Sequence, residues 1–497
     1  MGIIQKQSIS GTIYSYVGVA LGFVTTGILF PRIFSTEQVG LLRLLVSYSV
    51  LFAQFASLGI NTATIKLFPH FRDKEKKHHG YLGIVLLVVI AGLVISLLIY
   101  LMLRPYFIEH GREKSALFVT YFYYVVPLII FTLLFNVFDT YYRVLYNAVK
   151  GIVYKEIIQR VLILAVIIAY AVGLIDFKVT VILYVIAIIS PAFILFFSLI
   201  RNRQFFIKPD FSVFDDKLKK QFLDVSFFGM ISTFSGVLVL NIDVIMVDRI
   251  LGLSAAGIYT VTFFFGTLIL VPLRTMSKIG SVVISDAWKA NDTETIQNIY
   301  KKSSLSLSVI GFLLFTGIWG NIDNVFLIIS NDYLEGKYVI LFIGLAALLD
   351  ISLGVNPQII INSKYYRYLS YFLFIFAVLL IVTNLLMIPV FGIVGAAIAS
   401  LISKFIYNLI KFLFLYKKFG FQPFDYKYPL LILISIIAYI ISLFIPRFDN
   451  YILDIFIRSL VIFIVFTVPV YFLRISEDIN DSVDKIISTL LNRTKSD

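Results

Sequence analysis

Fourteen apolar stretches, each long enough to cross a bilayer as a helix, occupy most of this 497-residue chain. A helix of about 20 mostly apolar residues spans the hydrocarbon core of a membrane. Hydrophobic residues make up 60% of the sequence and charged residues only 14%, so little chain remains for a soluble domain. We therefore predict an all-α polytopic membrane protein with fourteen transmembrane helices.

The predicted spans follow one another closely along the chain. Hydropathy places the first seven at 10–30, 41–65, 81–103, 116–136, 157–174, 179–200 and 222–247. It places the other seven at 257–273, 303–323, 339–361, 368–388, 395–415, 430–445 and 455–473.

The charges between the spans predict the orientation. Lys and Arg in short loops resist translocation, so the side that is richer in them faces the cytoplasm. Of the 42 Lys and Arg residues, 28 lie in segments on the side that holds both termini, and 8 lie on the other side. Both termini are therefore predicted to be cytoplasmic.

Composition argues against several other functions. The net charge of +13 comes mainly from the cytoplasmic loops, so we expect no nucleic-acid partner. The chain has no cysteine, which excludes thiolate metal sites and a catalytic thiol. All four histidines lie in loops. We expect a protein that is not an enzyme, with no catalytic residues, no metal site and no resident cofactor.

An internal repeat relates the two halves of the sequence. RIFSTEQVGL (32–41) after span 1 resembles RILGLSAAGI (249–258) after span 7, at an offset of 217 residues. The same offset carries span 6 onto span 12. Six helices repeated in one orientation imply two bundles related by a pseudo-twofold axis along the membrane normal, with a binding cavity at their interface.

The repeat predicts the domain organisation. We expect an N-terminal six-helix bundle at 1–200, a cytoplasmic linker at 201–221 and a C-terminal six-helix bundle at 222–415. Helices 13 and 14 follow at 416–473, and an amphipathic cytoplasmic tail occupies 474–497. The basic linker is expected to face lipid and to fix the topology. In the tail, apolar residues recur at helical spacing, which favours a helix on the inner membrane surface: Ile479, Val483, Ile486, Ile487, Leu490 and Leu491. The alternative is a short solvated helix.

Two passages resemble a known family. NIDVIMVDRILGLSAAGIYT (241–260) and NLLMIPVFGIVGAAIAS (384–400) are similar to signatures of Wzx-type polysaccharide and oligosaccharide-lipid flippases. These flippases belong to the MOP exporter superfamily, whose fold is MATE-like. In the second passage Pro389 is expected to end span 11, because proline lacks an N–H and clashes with the preceding turn. Gly392 and Gly395 would permit a tight return.

The resemblance implies a function and partners. It implies translocation of a polyprenyl-diphosphate-linked oligosaccharide, an O-antigen, capsule or exopolysaccharide repeat unit, by alternating access. The expected location is the cytoplasmic (inner) membrane of a bacterium or archaeon. The implied partners are an undecaprenyl-diphosphate-linked glycan and membrane lipids. The protein would work as a monomer, with polysaccharide biosynthesis proteins as further candidate partners.

Two charges are expected near the middle of the membrane, where an ionisable side chain is costly and is usually paired or faces water. Asp350 lies about 16 Å into span 10 and Lys404 about 14 Å into span 12, at 1.5 Å per residue. One interpretation is a structural ion pair. The other is that Asp350 takes part in ion coupling while Lys404 binds anionic substrate, and a pair that opens on binding combines both.

A second acid lies in span 7. Drug-exporting relatives bind a coupling cation with acids of spans 7 and 10, and Asp243 and Asp350 occupy similar positions. The resemblance therefore makes both residues candidates for coupling to H⁺ or Na⁺. Some exporters also carry an acid in span 1, whereas span 1 of this chain has none.

Other basic residues could bind the diphosphate of the substrate. Arg43 and Lys66 lie near the two ends of span 2, and Arg274 follows Pro272 at the cytoplasmic end of span 8. A guanidinium binds phosphate oxygens in pairs. The alternative for Lys66 and Arg274 is that they extend to the membrane surface without binding substrate.

Three other functions remain open. A MATE-type multidrug or cation antiporter shares the fold, but its usual twelve spans and span 1 acid argue against it. A flippase for the peptidoglycan lipid precursor has fourteen spans but carries several Arg and Asp in its first half, a pattern not evident here. A membrane glycosyltransferase or polymerase usually places acids or Arg in large external loops, which this chain lacks.

Overall fold

The computed structural model describes residues 3–111, 113–213 and 215–493, and every regular element in these ranges is helical. The predicted all-α class is confirmed. Contacts divide the described chain into two compact units. The first contains the residues up to Val261 together with Leu380–Ile393, and the second contains Thr262–Leu379 and the residues from Val394 onward.

Thirteen α-helices lie in the described residues up to Thr267. A π-helical stretch, Phe23–Leu29, follows the first helix, and another, Tyr154–Ile158, precedes the tenth. The helices are α1 Ile3–Gly22, α2 Phe30–Ile33, α3 Thr36–Ala56, α4 Ile60–Leu67, α5 Tyr81–Met102, α6 Arg104–Gly111, α7 Ala116–Thr120, α8 Val125–Val144, α9 Val149–Val153, α10 Gln159–Ala171, α11 Phe177–Arg201, α12 Asp216–Leu251 and α13 Leu253–Thr267.

Nine helices follow. They are α14 Val271–Lys289, α15 Thr293–Gly320, α16 Ile322–Ile329, α17 Lys337–Ser352, α18 Asn356–Asn362, α19 Tyr366–Phe419, α20 Lys427–Leu443, α21 Tyr451–Phe472 and α22 Glu477–Arg493. Of the predicted tail, residues 494–497 and the side chains of Ile486, Ile487, Leu490 and Leu491 lie outside the described residues.

Side-chain caps explain where several long helices begin. Ser35 and Gln38 form a reciprocal capping box at the start of α3. Asp215 accepts from the Leu218 N–H at the start of α12, and Asp292 accepts from the Thr295 N–H at the start of α15. These oxygens satisfy N–H groups that have no partner inside the helix.

Ten helices of the described chain are long and apolar enough to cross a membrane, or eleven if the bent pair Asn331–Ser352 and Asn356–Asn362 forms one span. The protein is therefore a multi-pass membrane protein. The three remaining predicted spans differ for identifiable reasons. Predicted spans 11 and 12 lie in the single helix α19, predicted span 5 is divided among α9, the π-helical stretch and α10, and α20 is only 17 residues long.

Two predicted helix boundaries can be compared with the backbone. The prediction of span 2 as one continuous helix over 41–65 is wrong, because Leu58 (φ 47°) and Gly59 (φ 75°) separate α3 from α4. A Cβ at Gly59 would collide with the Ser226 carbonyl of α12, so glycine suits the position. In α19 the break falls at Gly392 (φ 60°, ψ −141°), whereas Pro389 stays inside the helix.

The connector between α11 and α12 is held against the start of α5. Asp210 donates its backbone N–H to the His79 carbonyl at 3.1 Å and accepts from the His79 ring at 2.9 Å. A Cβ at Gly80 would meet the Lys208 carbonyl, and one at Gly83 would meet that of Ile207. The middle of the connector therefore follows a fixed path along the first unit.

The second unit contains an apolar core shared by α15, α20 and α21. It is built from Val309, Leu431, Ile434, Ala438, Phe466, Val470 and Ile475. Because each side chain is nearly fully buried, this contact fixes α20 and α21 against α15.

Candidate functional site

An ion pair joins α17 and α19 within the second unit. Lys404 Nζ lies 2.8 Å from Asp350 Oδ2, and Asn408 donates to Asp350 Oδ1 at 2.8 Å. The side chains of Lys404 and Asp350 are 17% and 21% exposed. The sequence predicts that these two charges lie at a similar depth in the membrane, and the structure places them in contact.

A second lysine lies on the same face of α19. Lys411 is 4% exposed, and its Nζ lies 4.1 Å from the ring centroid of Tyr407. Tyr407 stacks on Phe376 at 4.6 Å. Residues 404, 407, 408 and 411 recur at helical spacing, so one helix face carries two ammonium groups beside one carboxylate. Sequence reasoning missed Lys411, although its spacing of seven from Lys404 was the available signal.

Asp243 joins the two passages that resemble the flippase family. Its Oδ2 accepts from the Tyr259 hydroxyl at 3.0 Å, and its Oδ1 accepts from Asn384 Nδ2 at 2.7 Å. Tyr259 comes from the first passage and Asn384 from the second. Asp243 is 5% exposed and Asn384 is fully buried. Because 141 residues separate Asp243 from Asn384, no local pattern predicted this contact.

Arg43 lies in α3 beside the end of α12 that carries Asp243. One Nη2 donates to Asn241 Oδ1 at 3.3 Å and to the Leu240 carbonyl at 3.4 Å. Both distances are long for an N–H···O bond, so these contacts hold the guanidinium weakly. Arg43 is half-buried and remains chemically able to take a stronger anionic partner.

The other two basic candidates lie elsewhere and are exposed. Lys66 lies in α4, and Arg274 lies in the first turn of α14, two residues after Pro272. Their exposure fits either an encounter with an anionic headgroup or extension to the membrane surface.

The first unit also contains charges that sequence reasoning did not select. Glu156 accepts from Arg160 Nε at 3.0 Å, and Asp139 is paired with Arg143. The Glu156 and Arg160 side chains lie against Gly18 and Gly22 of α1, where a Cβ would collide with them. The signal was the spacing of four residues in each pair, which places opposite charges on one helix face.

Comparison with known proteins gives a family and a fold. The family model described as "Polysaccharide biosynthesis protein" matches residues 4–284. A 110-residue segment is 34% identical to an uncharacterized membrane protein, MJ1068, of Methanocaldococcus jannaschii. That segment spans only 22% of this chain and 22% of the relative.

Solved structures share the fold over most of the chain. The inward closed conformation of the lipid II flippase MurJ has a TM-score of 0.70 and 16% identity, over 93% of this chain and 99% of that one. An inward-facing multidrug resistance MATE family transporter has a TM-score of 0.57 and 13% identity, over 81% and 93%. A MOP superfamily transporter from Pyrococcus furiosus has a TM-score of 0.54 and 15% identity, over 83% and 94%.

Proposed function

The chain belongs to the polysaccharide biosynthesis protein family, and we propose that it is a lipid-linked oligosaccharide flippase. The family match confirms the resemblance seen in the sequence. It moves a polyprenyl-diphosphate-linked oligosaccharide across the cytoplasmic membrane by alternating access. The fold that it shares with a lipid II flippase and with MOP transporters supports this function. The proposed cargo is a repeat unit of an O-antigen, a capsule or an exopolysaccharide.

The charged face of α19 carries the proposal. Lys404 forms an ion pair with Asp350, and Lys411 interacts with the same carboxylate through its charge, so two ammonium groups share it. One positive charge therefore has no carboxylate partner in this cluster, and a buried charge favours an opposite partner. A diphosphate has the charge and the acceptor oxygens that would take the place of Asp350 beside Lys404. Binding of the substrate would then open the ion pair.

Coupling to an ion is the second part of the mechanism. Asp350 and Asp243 are the proposed acceptors of H⁺ or Na⁺, each within its own unit. A cation on Asp350 would compete with Lys404 for the carboxylate and release the lysine toward the diphosphate. A cation on Asp243 would alter the hydrogen bonds that it accepts from Tyr259 and Asn384.

Arg43, Lys66 and Arg274 are proposed as further contacts for the headgroup. Arg43 supplies a weakly held guanidinium group, and the other two supply exposed charges near predicted cytoplasmic helix ends. The proposed topology has fourteen crossings, arranged as two six-helix repeats followed by two helices, with both termini in the cytoplasm. The break at Gly392 supports counting α19 as two crossings.

Deletion and complementation test this function. Deletion should abolish glycan export and leave lipid-linked units on the cytoplasmic side of the membrane. Plasmid-borne wild-type protein and Lys417→Ala, an exposed residue of the same helix, should restore export. Lys404→Ala and Lys411→Ala should not, at equal protein levels. The proposal is wrong if units still reach the outer leaflet after deletion, or if only drug efflux changes.

A further inference from the structure

A polar cavity of about 360 Å³ lies in the second unit, apart from the Lys404 cluster in sequence and in lining. It is formed where α15 ends, α20 ends and α21 begins, with α16 and the loop 444–450 completing the wall. The volume falls in the range of roughly 300 to 1,000 Å³ that small-molecule sites occupy.

One wall of the cavity is fixed by a buried ion pair. Arg458 Nη2 lies 3.2 Å from Asp454 Oδ1, and these residues are 7% and 3% exposed. Arg458 also donates to the carbonyls of Ser442 and Ile445, and Asn324 donates to Asp454. Because every charge here has a partner, the wall is rigid and electrically balanced.

The rim carries a second ion-paired group, in which two cations share one carboxylate. Asp323 accepts from Lys337 Nζ at 2.8 Å and is paired with Arg447. The Asp323 and Arg447 side chains are 48% and 78% exposed, so their remaining donor and acceptor sites face solvent. A free anion would have to compete with this carboxylate for the two cations.

Aromatic rings stand between the polar groups. Trp319 and Tyr439 are half-buried in the lining, and Phe448 is 37% exposed. Asn321, which is 6% exposed, adds an Oδ1 that accepts no hydrogen bond from the described residues. Ring faces combined with paired amide, carboxylate and guanidinium groups suit a ligand that has an apolar face and many hydroxyl groups.

We propose that this cavity binds a saccharide unit. The sugar ring would stack on Trp319 or Tyr439, while its hydroxyl groups would exchange hydrogen bonds with Asp323, Asn324 and Arg447. Three cations and two carboxylates line the cavity, so a sugar acid is compatible with it. Placing the site on the external side, where it would hold a translocated glycan, rests on the proposed function and orientation, whereas the binding itself does not.

Tryptophan fluorescence tests the site directly, because Trp288 and Trp319 are the two tryptophans of the chain. Full-length Trp288→Phe protein in detergent, which keeps Trp319, is titrated with glucose, N-acetylglucosamine, glucuronate and inorganic phosphate. We expect a saturable change in Trp319 emission with at least one sugar and none with phosphate. The matched variant Trp319→Phe, which keeps Trp288, should show no change. Arg447→Gln in the Trp288→Phe background should raise the half-saturating concentration about tenfold, the loss of one charge-assisted hydrogen bond.

Saturation-transfer NMR on wild-type protein detects sugar binding independently of any change in Trp319 emission. The sugars should receive saturation from wild-type protein and lose most of it with Trp319→Ala. No transfer to any of the three sugars, equal transfer with the variant, or a saturable change of Trp319 emission with phosphate alone would overturn the proposal. Sugar binding without glycan transport would contradict the flippase function and leave this site intact, so the two failures are distinguishable.

Discussion

Gly40 and Gly257, which differ by the repeat offset of 217 residues, approach each other where α3 crosses α13. A Cβ at Gly40 would meet the Leu253 carbonyl, and a Cβ at Gly257 would meet the Thr36 carbonyl. Thr36 and Leu253 differ by the same offset. Each contact is therefore the counterpart of the other, which is the pattern that a local twofold axis produces.

We expect Gly257→Ala to destabilise the protein, because the added methyl group would have to push two helix backbones apart. The cost should be about 1–3 kcal/mol, as for other overpacked contacts. Gly236→Ala is the matched control, since nothing lies within 4 Å of a Cβ at that position. It should be neutral or stabilising, because alanine favours a helix over glycine by up to ~1 kcal/mol. Thermal unfolding in detergent measures both, and equal melting temperatures would contradict the close crossing.

The Lys404 and Asp350 pair can be tested by exchanging its charges. Each single reversal, Lys404→Asp or Asp350→Lys, leaves like charges together and should lower both stability and transport. The double reversal should recover stability, because an ion pair can form again. If Lys404 binds diphosphate and Asp350 accepts the coupling ion, transport should stay low in the double variant. Full recovery of transport would show that the pair is structural only.

Asp243→Asn separates charge from shape at the second acid. The amide can keep hydrogen bonds with Tyr259 and Asn384 but cannot accept a coupling proton or balance Na⁺. We expect nearly normal thermal stability and loss of ion-driven transport in proteoliposomes. Asp248→Asn removes another buried acid of α12, one that accepts from Ser115, and should retain transport. Equal activity of the two variants would exclude Asp243 from coupling.

The connector should loosen at low pH. Hydrogen bonds from the His79 ring and from Ser212 lower the pKa of Asp210 to about 2. An Asp with a lowered pKa contributes stability above its unfolded pKa of about 4 and loses it as the pH falls through the folded value. The protection of the connector amides, measured as their exchange rate relative to that of an unstructured chain at the same pH, should therefore fall between about pH 4 and pH 2. Asp210→Asn should weaken this pH dependence, and the exposed Asp216→Asn should not.

Features that depend on composition or on spacing along one helix were predictable from the sequence. The all-α class followed from apolar length, and an ion pair between Asp350 and Lys404 was one of the two interpretations that followed from their similar depth in spans 10 and 12. Contacts between distant segments were not predictable in this way. Asn384 reaches Asp243 because of how three helices pack, and no hydropathy pattern encodes that distance.

Local charge was also a weak guide near helix ends. Lys411 falls close to the end of its predicted span, where a lysine usually extends to the membrane surface. Only the fold shows that it is buried against Tyr407. Arg458 lies inside the predicted span 455–473, whereas its partner Asp454 lies one turn earlier, outside that span, and the pair lines a cavity.

The left-handed turn before α5 has a practical consequence for engineering this chain. Four residues in succession have positive φ values: Lys77 52°, His78 53°, His79 52° and Gly80 59°. The three with side chains are sterically strained in this left-handed conformation. The connector's hold on this turn makes residues 207–210 a poor place to insert an epitope or a protease site. An insertion between Arg201 and Arg203, where the chain has left α11 and is exposed, should be tolerated far better.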